Sequence, residues 1–282
     1  MTETPDELMR VIADMQSAGR PFAVATVVRT TGATAAKAGA KAVIAEDGTM
    51  RGWIGGGCTQ GAVRRAAAAA IRSGSAQLIG VRPKDELEAA GLSPGEAQEG
   101  VAFHQSGCPS RGTVDLFVEP MLPRPVLTVC GASPVARAVA EMAPRFGFAV
   151  AVAARAEDRE TLPACDHACA GFDLAQELPA SDYVVVATQG TRDLDALQGA
   201  LASGAAYVAF VGSRRKFATL RECLLERGVA ERDVDRVASP AGLDIGGITP
   251  DEIALSILAQ VVAVRRRGAR DPAQVRGYGD AA

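Results

Sequence analysis

The residues best suited to chemistry lie between Arg51 and Arg65, in the segment RGWIGGGCTQGAVRR. Gly55, Gly56 and Gly57 come directly before Cys58, where an alanine-rich helix is predicted to begin. Glycine allows positive φ angles and a close approach of the backbone to a ligand or another segment. A sulfur at a helix start would face unpaired amides and the positive end of the helix dipole, which favours the thiolate. The segment therefore predicts a reactive or ligating sulfur.

An alternative interpretation of this segment is purely structural. A tight turn from a strand to a helix also needs glycines, and Cys58 would then be a small, buried apolar side chain. The spacing alone does not separate the two interpretations. For Trp53, the only tryptophan, we expect a place in the core rather than in the wall of a cleft.

A second candidate site follows a predicted strand that ends at Gly212. Ser213, Arg214, Arg215 and Lys216 come next, as a helix begins. Ligands of open α/β sheets bind beyond the carboxyl ends of the strands, and a helix N-terminus with added cations suits a phosphate or another oxyanion. Cations are not the charges ordinarily placed at that end of a helix, so we favour an anion site over a capped, solvated helix start.

A third segment resembles the dinucleotide fingerprint G-x-G-x-x-G with changes. Its three positions are Gly131, Ser133 and Ala136, so a side chain stands where a pyrophosphate would approach the backbone. At the end of the next strand Arg155 stands near the position of the acidic residue that would hold the ribose. Arg155 could meet a 2′-phosphate or face water. The segment predicts a Rossmann-like domain and leaves two interpretations open, a domain that binds a nucleotide and one whose nucleotide site is altered or lost.

The order of apolar segments predicts two domains in the 282 residues. Three prolines between 119 and 125 indicate a connector. We predict an N-terminal domain at 1–122 that carries the glycine–cysteine segment, a Rossmann-like domain at 123–268, and a loose tail at 269–282. Alternating apolar residues in the first part predict short antiparallel strands, and continuous apolar runs in the second predict buried parallel strands with crossover helices. The predicted fold class is α/β, a small α+β domain followed by a Rossmann-like parallel-sheet domain.

Three helix starts carry the same local pattern. Thr4, Ser93 and Thr249 each precede a proline and stand three residues before a glutamate. This arrangement offers an N-cap hydroxyl, proline at the first helical position and a glutamate that reaches back to the cap. We therefore predict that helices begin after all three residues.

Composition narrows the function classes. The net charge is −3, and the basic residues are scattered, so no broad positive field favours nucleic acid or an anionic membrane. No segment reaches the length of a membrane span, and acidic residues occupy the place of a signal peptide's basic region. Six cysteines without a disulfide pattern, and only two histidines, favour a reducing compartment and disfavour a histidine-rich metal site. We expect a cytoplasmic protein that binds a small molecule or a protein.

Four blocks, taken together and in order, resemble the XdhC/CoxI family. They are residues 29–63, 104–120, 207–216 and 239–266. Members of that family are accessory proteins of molybdenum hydroxylases such as xanthine dehydrogenase, aldehyde oxidoreductases and carbon monoxide dehydrogenase. They are understood to bind the molybdenum cofactor, to protect it while a cysteine desulfurase makes its terminal sulfido ligand, and to assist its insertion into the apoenzyme. The resemblance implies these partners for this chain, and a homodimer is among the assemblies we consider.

The resemblance also assigns roles to residues. The amides of Gly55, Gly56 and Gly57 would meet the molybdenum cofactor, and Cys58 would ligate the molybdenum, a partner soft enough for sulfur. Cys108, in the block GCPSRG, would line the same cavity. The other candidate cofactor contacts are Thr31, Gly32, Lys37, Ser213, Arg214 and Arg215, and the candidates for a nucleotide in the Rossmann-like domain are Gly131 and Ser133.

The function predicted from these observations is a non-catalytic chaperone that binds the molybdenum cofactor and delivers it to a molybdenum hydroxylase. One alternative is an NAD(P)-dependent oxidoreductase that uses the C-terminal domain. It is weakened by Ser133 and by the lack of a convincing acid–base pair in the sequence. A second alternative is a sulfur-transfer protein that carries a persulfide on Cys58.

Overall fold

The structure, a computed structural model, describes residues 3–107 and 111–267. Its contacts divide the chain into two compact units, one that ends at Pro123 and one that begins at Arg124. We call them the first and the second unit. The predicted tail at 269–282 lies outside the described residues.

The first unit is a mainly antiparallel sheet with helices. Its strands lie in the order β3-β2-β1-β7-β4-β6-β5, and β4 and β6 are the parallel neighbours. The helices are α1 (Pro5–Ser17), α2 (Gly57–Ser73) and α3 (Lys84–Ala89). The strands are β1 (Phe22–Thr31), β2 (Lys41–Ala45), β3 (Met50–Gly52), β4 (Gln77–Pro83), β5 (Ala97–Gln98), β6 (Val101–Ser106) and β7 (Thr113–Met121).

Helix α2 packs across one face of this sheet. Its buried positions include Ala62, Val63, Ala66, Ala67 and Ala70, which recur at helical spacing. They share a core with inward side chains of the central strands. Because alanine side chains are short, the helix backbone lies close to the sheet. This packing fixes the position of the first turn of α2 against the sheet.

The second unit is a parallel sheet covered on both faces. Its strands lie in the order β10-β9-β8-β11-β12. The strands are β8 (Val126–Cys130), β9 (Ala149–Ala154), β10 (His167–Ala170), β11 (Tyr183–Val186) and β12 (Tyr207–Phe210). The helices are α4 (Pro134–Met142), α5 (Leu174–Glu177), α6 (Asp193–Ala202), α7 (Arg214–Glu226), α8 (Glu231–Asp235) and α9 (Pro250–Arg267).

Two apolar cores hold this sheet. Each core contains side chains of β8, β9, β11 and β12, which alternate between the two faces of the sheet. Helices α4 and α9 cover one core, and α6, α7 and α8 cover the other. The order of the strands reverses between β8 and β11, which is where open α/β sheets bind ligands. The predicted fold class, an α+β domain followed by a Rossmann-like parallel-sheet domain, is confirmed.

The capping pattern predicts two of its three helix starts correctly. The hydroxyl of Thr4 accepts from the amide of Glu7, and that of Thr249 accepts from the amide of Glu252, each at 3.3 Å. The prediction at Ser93 is wrong. There the amide of Ser93 donates to the carboxylate of Glu96 at 2.9 Å, but the chain turns and enters β5, which pairs with β6. Within the described ranges, no helix is both long enough and apolar enough to cross a membrane.

Candidate functional site

Three loops of the first unit meet around the start of α2. They are the loop after β1, the turn between β3 and α2, and the loop between β6 and β7. Ala33 forms a parallel bridge with Arg111. Gly32 has a φ of +72°, and a Cβ built on it would lie 3.5 Å from the Cα of Gly112. The loops that follow β1 and precede β7 are therefore packed backbone against backbone.

The turn before α2 packs against the loop that follows β1. Gly55 has a φ of +120°, and a Cβ built there would lie 3.2 Å from the Cβ of Ala36 and 3.4 Å from Oγ1 of Thr59. The side-chain amide of Gln60 donates to the carbonyl of Gly55 at 3.1 Å. Lys37 follows Ala36 directly, and its side chain is exposed. Gly55 is thus a glycine that the backbone conformation and the neighbouring loop require.

The next two glycines differ from Gly55, because neither adopts the positive φ angles that glycine allows. Gly56 is the N-cap of α2 with a φ of −74°, and the φ of Gly57 is not positive either. Apart from the adjoining residues and the backbone of α2 itself, no described atom lies within 4 Å of a Cβ built on either residue. A glycine N-cap has no side chain to accept from the first helical amides. The first turn of α2 therefore presents amide donors that no capping side chain covers.

Cys58 stands at the second position of α2, and its side chain is exposed. The interpretation of Cys58 as a buried filler is therefore wrong. Its Sγ lies 3.9 Å from the position that a Cβ on Gly107 would occupy. The backbone that directly follows β6 therefore lies beside the thiol. Cys108, the next residue after Gly107, lies outside the described residues. Trp53, expected in the core, is 44% exposed, which makes that expectation wrong as well.

Sequence reasoning missed one cation on α2. Arg65 is exposed and follows Cys58 by seven residues, a spacing that places both on the same face of a helix. Its Nη1 lies 3.7 Å from a Cβ built on Gly61, which stands between them. Burial lowers the pKa of His104 on β6, and the nearby charge of Arg65 lowers it further. The helical spacing from Cys58 is the signal that could have identified Arg65.

We call Gly55, Gly56, Gly57, Cys58 and Arg65 the α2 site. Thr31, the last residue of β1, is exposed and pairs with Thr113 of β7 at the edge of this region. Across the described ranges no group of three or more His, Cys, Asp or Glu side chains could hold a metal ion. A metal bound at the α2 site would therefore have to bring most of its own ligands.

The second unit places Ser213, Arg214 and Arg215 at the start of α7, as predicted. Ser213 is the N-cap, and its hydroxyl accepts from the amide of Lys216 at 3.2 Å. Arg214 and Arg215 are exposed, and neither forms an ion pair within the described ranges. Lys216 is different because it forms a salt bridge with Asp193. Two cations of this cluster, not three, remain unneutralised.

Asp193 explains the position of the neighbouring loop. It is 6% exposed, accepts from the hydroxyl of Thr188, and accepts from the amide of Gly190 at 3.0 Å. Burial alone would raise the pKa of Asp193, but these bonds and Lys216 outweigh it and hold the pKa below its usual range. The loop between β11 and α6 is thus fixed to the start of α7.

The altered fingerprint forms the turn between β8 and α4. Gly131 has a φ of +111°, and a Cβ there would lie 2.7 Å from the carbonyl oxygen of Ala187. Ser133 caps α4: its hydroxyl accepts from the amide of Ala136 at 3.2 Å and donates to the carbonyl of Ala187 at 2.6 Å. Pro134, the first residue of α4, has no N–H to donate. Two of the first three helical positions therefore offer no free amide.

These features define a protein of two units. The first is an α+β unit in which a helix that carries a cysteine begins without a capping side chain, and the second is a Rossmann-like unit. Two family models match the chain. One, described as the XdhC and CoxI family, matches residues 15–81, and the other, described as the XdhC Rossmann domain, matches residues 127–261. The chain belongs to the XdhC/CoxI family, which confirms the resemblance seen in its sequence.

Two individual proteins are similar to this chain. YqeB of Escherichia coli (strain K12), described as uncharacterized, is 30% identical over 263 residues, which are 90% of this chain and 45% of YqeB. The chain thus spans less than half the length of that relative. A crystal structure from Bacillus halodurans, described as a xanthine dehydrogenase, is 20% identical, with a TM-score of 0.46, over 95% of this chain and 98% of that one.

Proposed function

We propose that this chain binds the molybdenum cofactor at the α2 site and delivers it, with its sulfido ligand, to the apoenzyme of a molybdenum hydroxylase. The observation that supports this most is the exposed thiol of Cys58 beside helix amides that no side chain caps. We propose a carrier of the cofactor and not a catalyst. Family membership supports the general role in maturation.

The donors at the α2 site match what such a cofactor presents. The molybdenum cofactor would supply a molybdenum centre that carries its own dithiolene, a flat pterin and a phosphate. Cys58 would hold the metal through sulfur, a soft ligand. The amides of Gly57 and Cys58 would donate to anionic oxygens, as helix N-termini do. Arg65 would add a positive charge on the same helix face, and the exposed Lys37 would add another from the neighbouring loop.

The second unit contributes further proposed contacts. Arg214 and Arg215 are exposed cations at a helix start, where the dipole adds to their attraction for an anion. We propose them, with Ser213, as contacts for an anionic group bound by the second unit. Because the α7 start already has its serine cap, their contribution would come from charge and should weaken with salt.

The partners follow from the cofactor's chemistry. The terminal sulfido ligand needs a sulfur donor, and we propose a cysteine desulfurase for that step and the hydroxylase apoenzyme for the next. A persulfide carried on Cys58 is the second candidate function, favoured by the exposure of that thiol. The NAD(P)-dependent alternative loses support because Ser133 and Pro134 remove amides that a pyrophosphate would use.

The test of the proposal is the cofactor content of the protein purified without oxygen from molybdate-fed cells. We expect bound pterin, detected by fluorescence after oxidation. A molybdenum hydroxylase from the same cells serves as the positive control. If the hydroxylase contains pterin and this protein contains none, the proposal is wrong.

A cysteine variant tests the ligand role directly. Cys58→Ser should keep its thermal stability and lose most of its bound pterin, because serine stays protonated at neutral pH and is a hard ligand. Cys223→Ser, on α7 of the second unit, is the matched control and should keep the cofactor. Full cofactor content and full client activation by Cys58→Ser would refute the ligand role.

Mass spectrometry after incubation with a desulfurase and cysteine would reveal the persulfide of the second candidate.

A further inference from the structure

The second unit contains a cleft at the point where its strand order reverses. The cleft has a volume of about 230 Å³. Its lining comes from loops that follow four strands: Gly131 to Pro134 after β8, Arg155 and Asp158 after β9, Phe172 after β10, and Thr188, Gln189 and Thr191 after β11. It therefore lies at the carboxyl edge of the sheet, the position at which open α/β sheets bind ligands.

The anion donors of an ordinary nucleotide site are occupied in this cleft. Ser133 takes the amide of Ala136, and Pro134 has none. Arg155 donates to both carboxylate oxygens of Asp158, at 2.8 and 3.0 Å, and contacts Glu157 at 2.5 Å. The positive charge of Arg155 is thus offset by two carboxylates, and the helix start that would hold a pyrophosphate has lost donors.

The remaining lining suits a neutral polar molecule. Thr191 and Gln189 are exposed and supply uncharged hydrogen-bonding groups, and Phe172, which is 8% exposed, supplies a small apolar part of the lining. Gln189 and Arg192 adopt left-handed φ angles of 51° and 59°, a conformation that clusters at ligand sites when held by its surroundings. Asp193 provides that hold, since it binds Thr188 and Gly190 in the same loop.

The size of the cleft limits its occupant. Sites for drug-sized ligands measure roughly 300–1,000 Å³, and this one is smaller. A dinucleotide would need more space and a place for its diphosphate. We propose that the cleft binds a nucleoside, a neutral ring with its sugar, and that phosphate groups add nothing to its affinity. This inference concerns the second unit and does not depend on cofactor binding at the α2 site.

The experiment is calorimetry on the full chain with adenosine and guanosine, and with ADP, GDP and NAD as the phosphate-bearing arms. We expect at least one nucleoside to bind, and its diphosphate to bind no more tightly at low salt. Binding of a diphosphate or NAD about tenfold tighter than the nucleoside, or more, would overturn the inference, since it would show a working phosphate site. Absence of binding by both nucleosides at millimolar concentration would overturn it as well.

A pair of variants locates the site. Thr191→Tyr places a larger neutral side chain in the cleft and should weaken nucleoside binding by about tenfold or more. Thr219→Tyr, at an exposed position on α7, is the matched control and should bind as the unmodified chain does. Both should keep the melting temperature of the parent. Unchanged affinity in Thr191→Tyr would place the nucleoside elsewhere and refute the inference.

Discussion

The two units share a local design, a strand followed by a glycine turn and a helix, and differ in what covers the helix start. In the first unit, Gly55 bends the chain and Gly56 leaves the amides of α2 without a capping side chain. In the second unit, Gly131 bends the chain, but Ser133 and Pro134 cap or remove the corresponding amides of α4. The same backbone motif is thus open to an anion in one unit and closed in the other.

The difference shows that a glycine-rich turn alone does not define a ligand site. The bending glycine is required by packing in both units, because another segment passes close to it. The availability of donors depends instead on the residues at the N-cap and first helical positions. Cys58 adds a sulfur to the open turn, whereas the turn before α4 adds no such group.

The largest expected effect concerns the bending glycines. Gly131→Ala should destabilise the second unit by about 3–4 kcal/mol. Alanine would have to adopt a positive φ angle, and its Cβ would overlap the backbone of Ala187, which cannot move easily. Gly55→Ala should cost about 2 kcal/mol, because its nearest neighbours are side-chain atoms of Ala36 and Thr59 that can shift slightly. Chemical denaturation of both variants measures these losses. Equal costs would show that the two turns are held in the same way.

The next effect comes from closing the open turn. Gly56→Ser with Gly57→Pro copies the cap of α4 onto α2, and neither position has a described atom within 4 Å of an added Cβ. The variant should stay folded and lose about 2 kcal/mol of binding to the cofactor, the contribution of a hydrogen bond to a charged group. Pterin content at equal protein concentration is the measurement. A fully loaded variant would contradict a role for these amides.

A smaller effect is expected from the cation on α2. Arg65→Ala should weaken cofactor retention by about 1 kcal/mol at low salt, and less as salt screens the charge. Arg64→Ala is the matched control. Arg64 is the preceding residue on the same helix, and its side chain instead donates to the carbonyl of Gly48 at 3.1 Å. Equal losses for the two variants would show a general charge effect and no specific contact by Arg65.

The smallest effect is expected when the helix cap of the second unit is removed, the reverse of adding a cap to α2. Ser133→Gly removes the capping hydroxyl and returns the amide of Ala136 to the cleft, at a cost in stability of about 1–2 kcal/mol because the bond to the carbonyl of Ala187 is lost as well. ADP affinity, measured by calorimetry at low salt, should then rise by about threefold, less than 1 kcal/mol. If ADP binds the parent and the variant alike, the serine cap is not what keeps phosphate out of the cleft.

Much of the fold could be predicted from local patterns. Alternating and continuous apolar runs indicated an antiparallel first part and a parallel second part, and the capping boxes at Thr4 and Thr249 marked real helix starts. The same box at Ser93 failed because Ala97 and Gln98, which follow it, pair with β6 instead of continuing a helix. The hydrogen bond between Ser93 and Glu96 forms in a turn as well as in a helix, so the pairing of β5 with β6 decided the structure of this segment.

The residue types available for chemistry and the order of helices and strands could be predicted without a structure, because they depend on composition and short-range periodicity. The family could be recognised from four short blocks. The accessibility of the reactive side chains, in contrast, depends on the tertiary fold. It exposed Cys58 and Trp53, and it neutralised Lys216 with Asp193 of another helix. It also brought Gly107 beside Cys58, although nearly fifty residues separate them in the chain. Burial and pairing depend on contacts between segments far apart in sequence, and local patterns carry no information on those contacts.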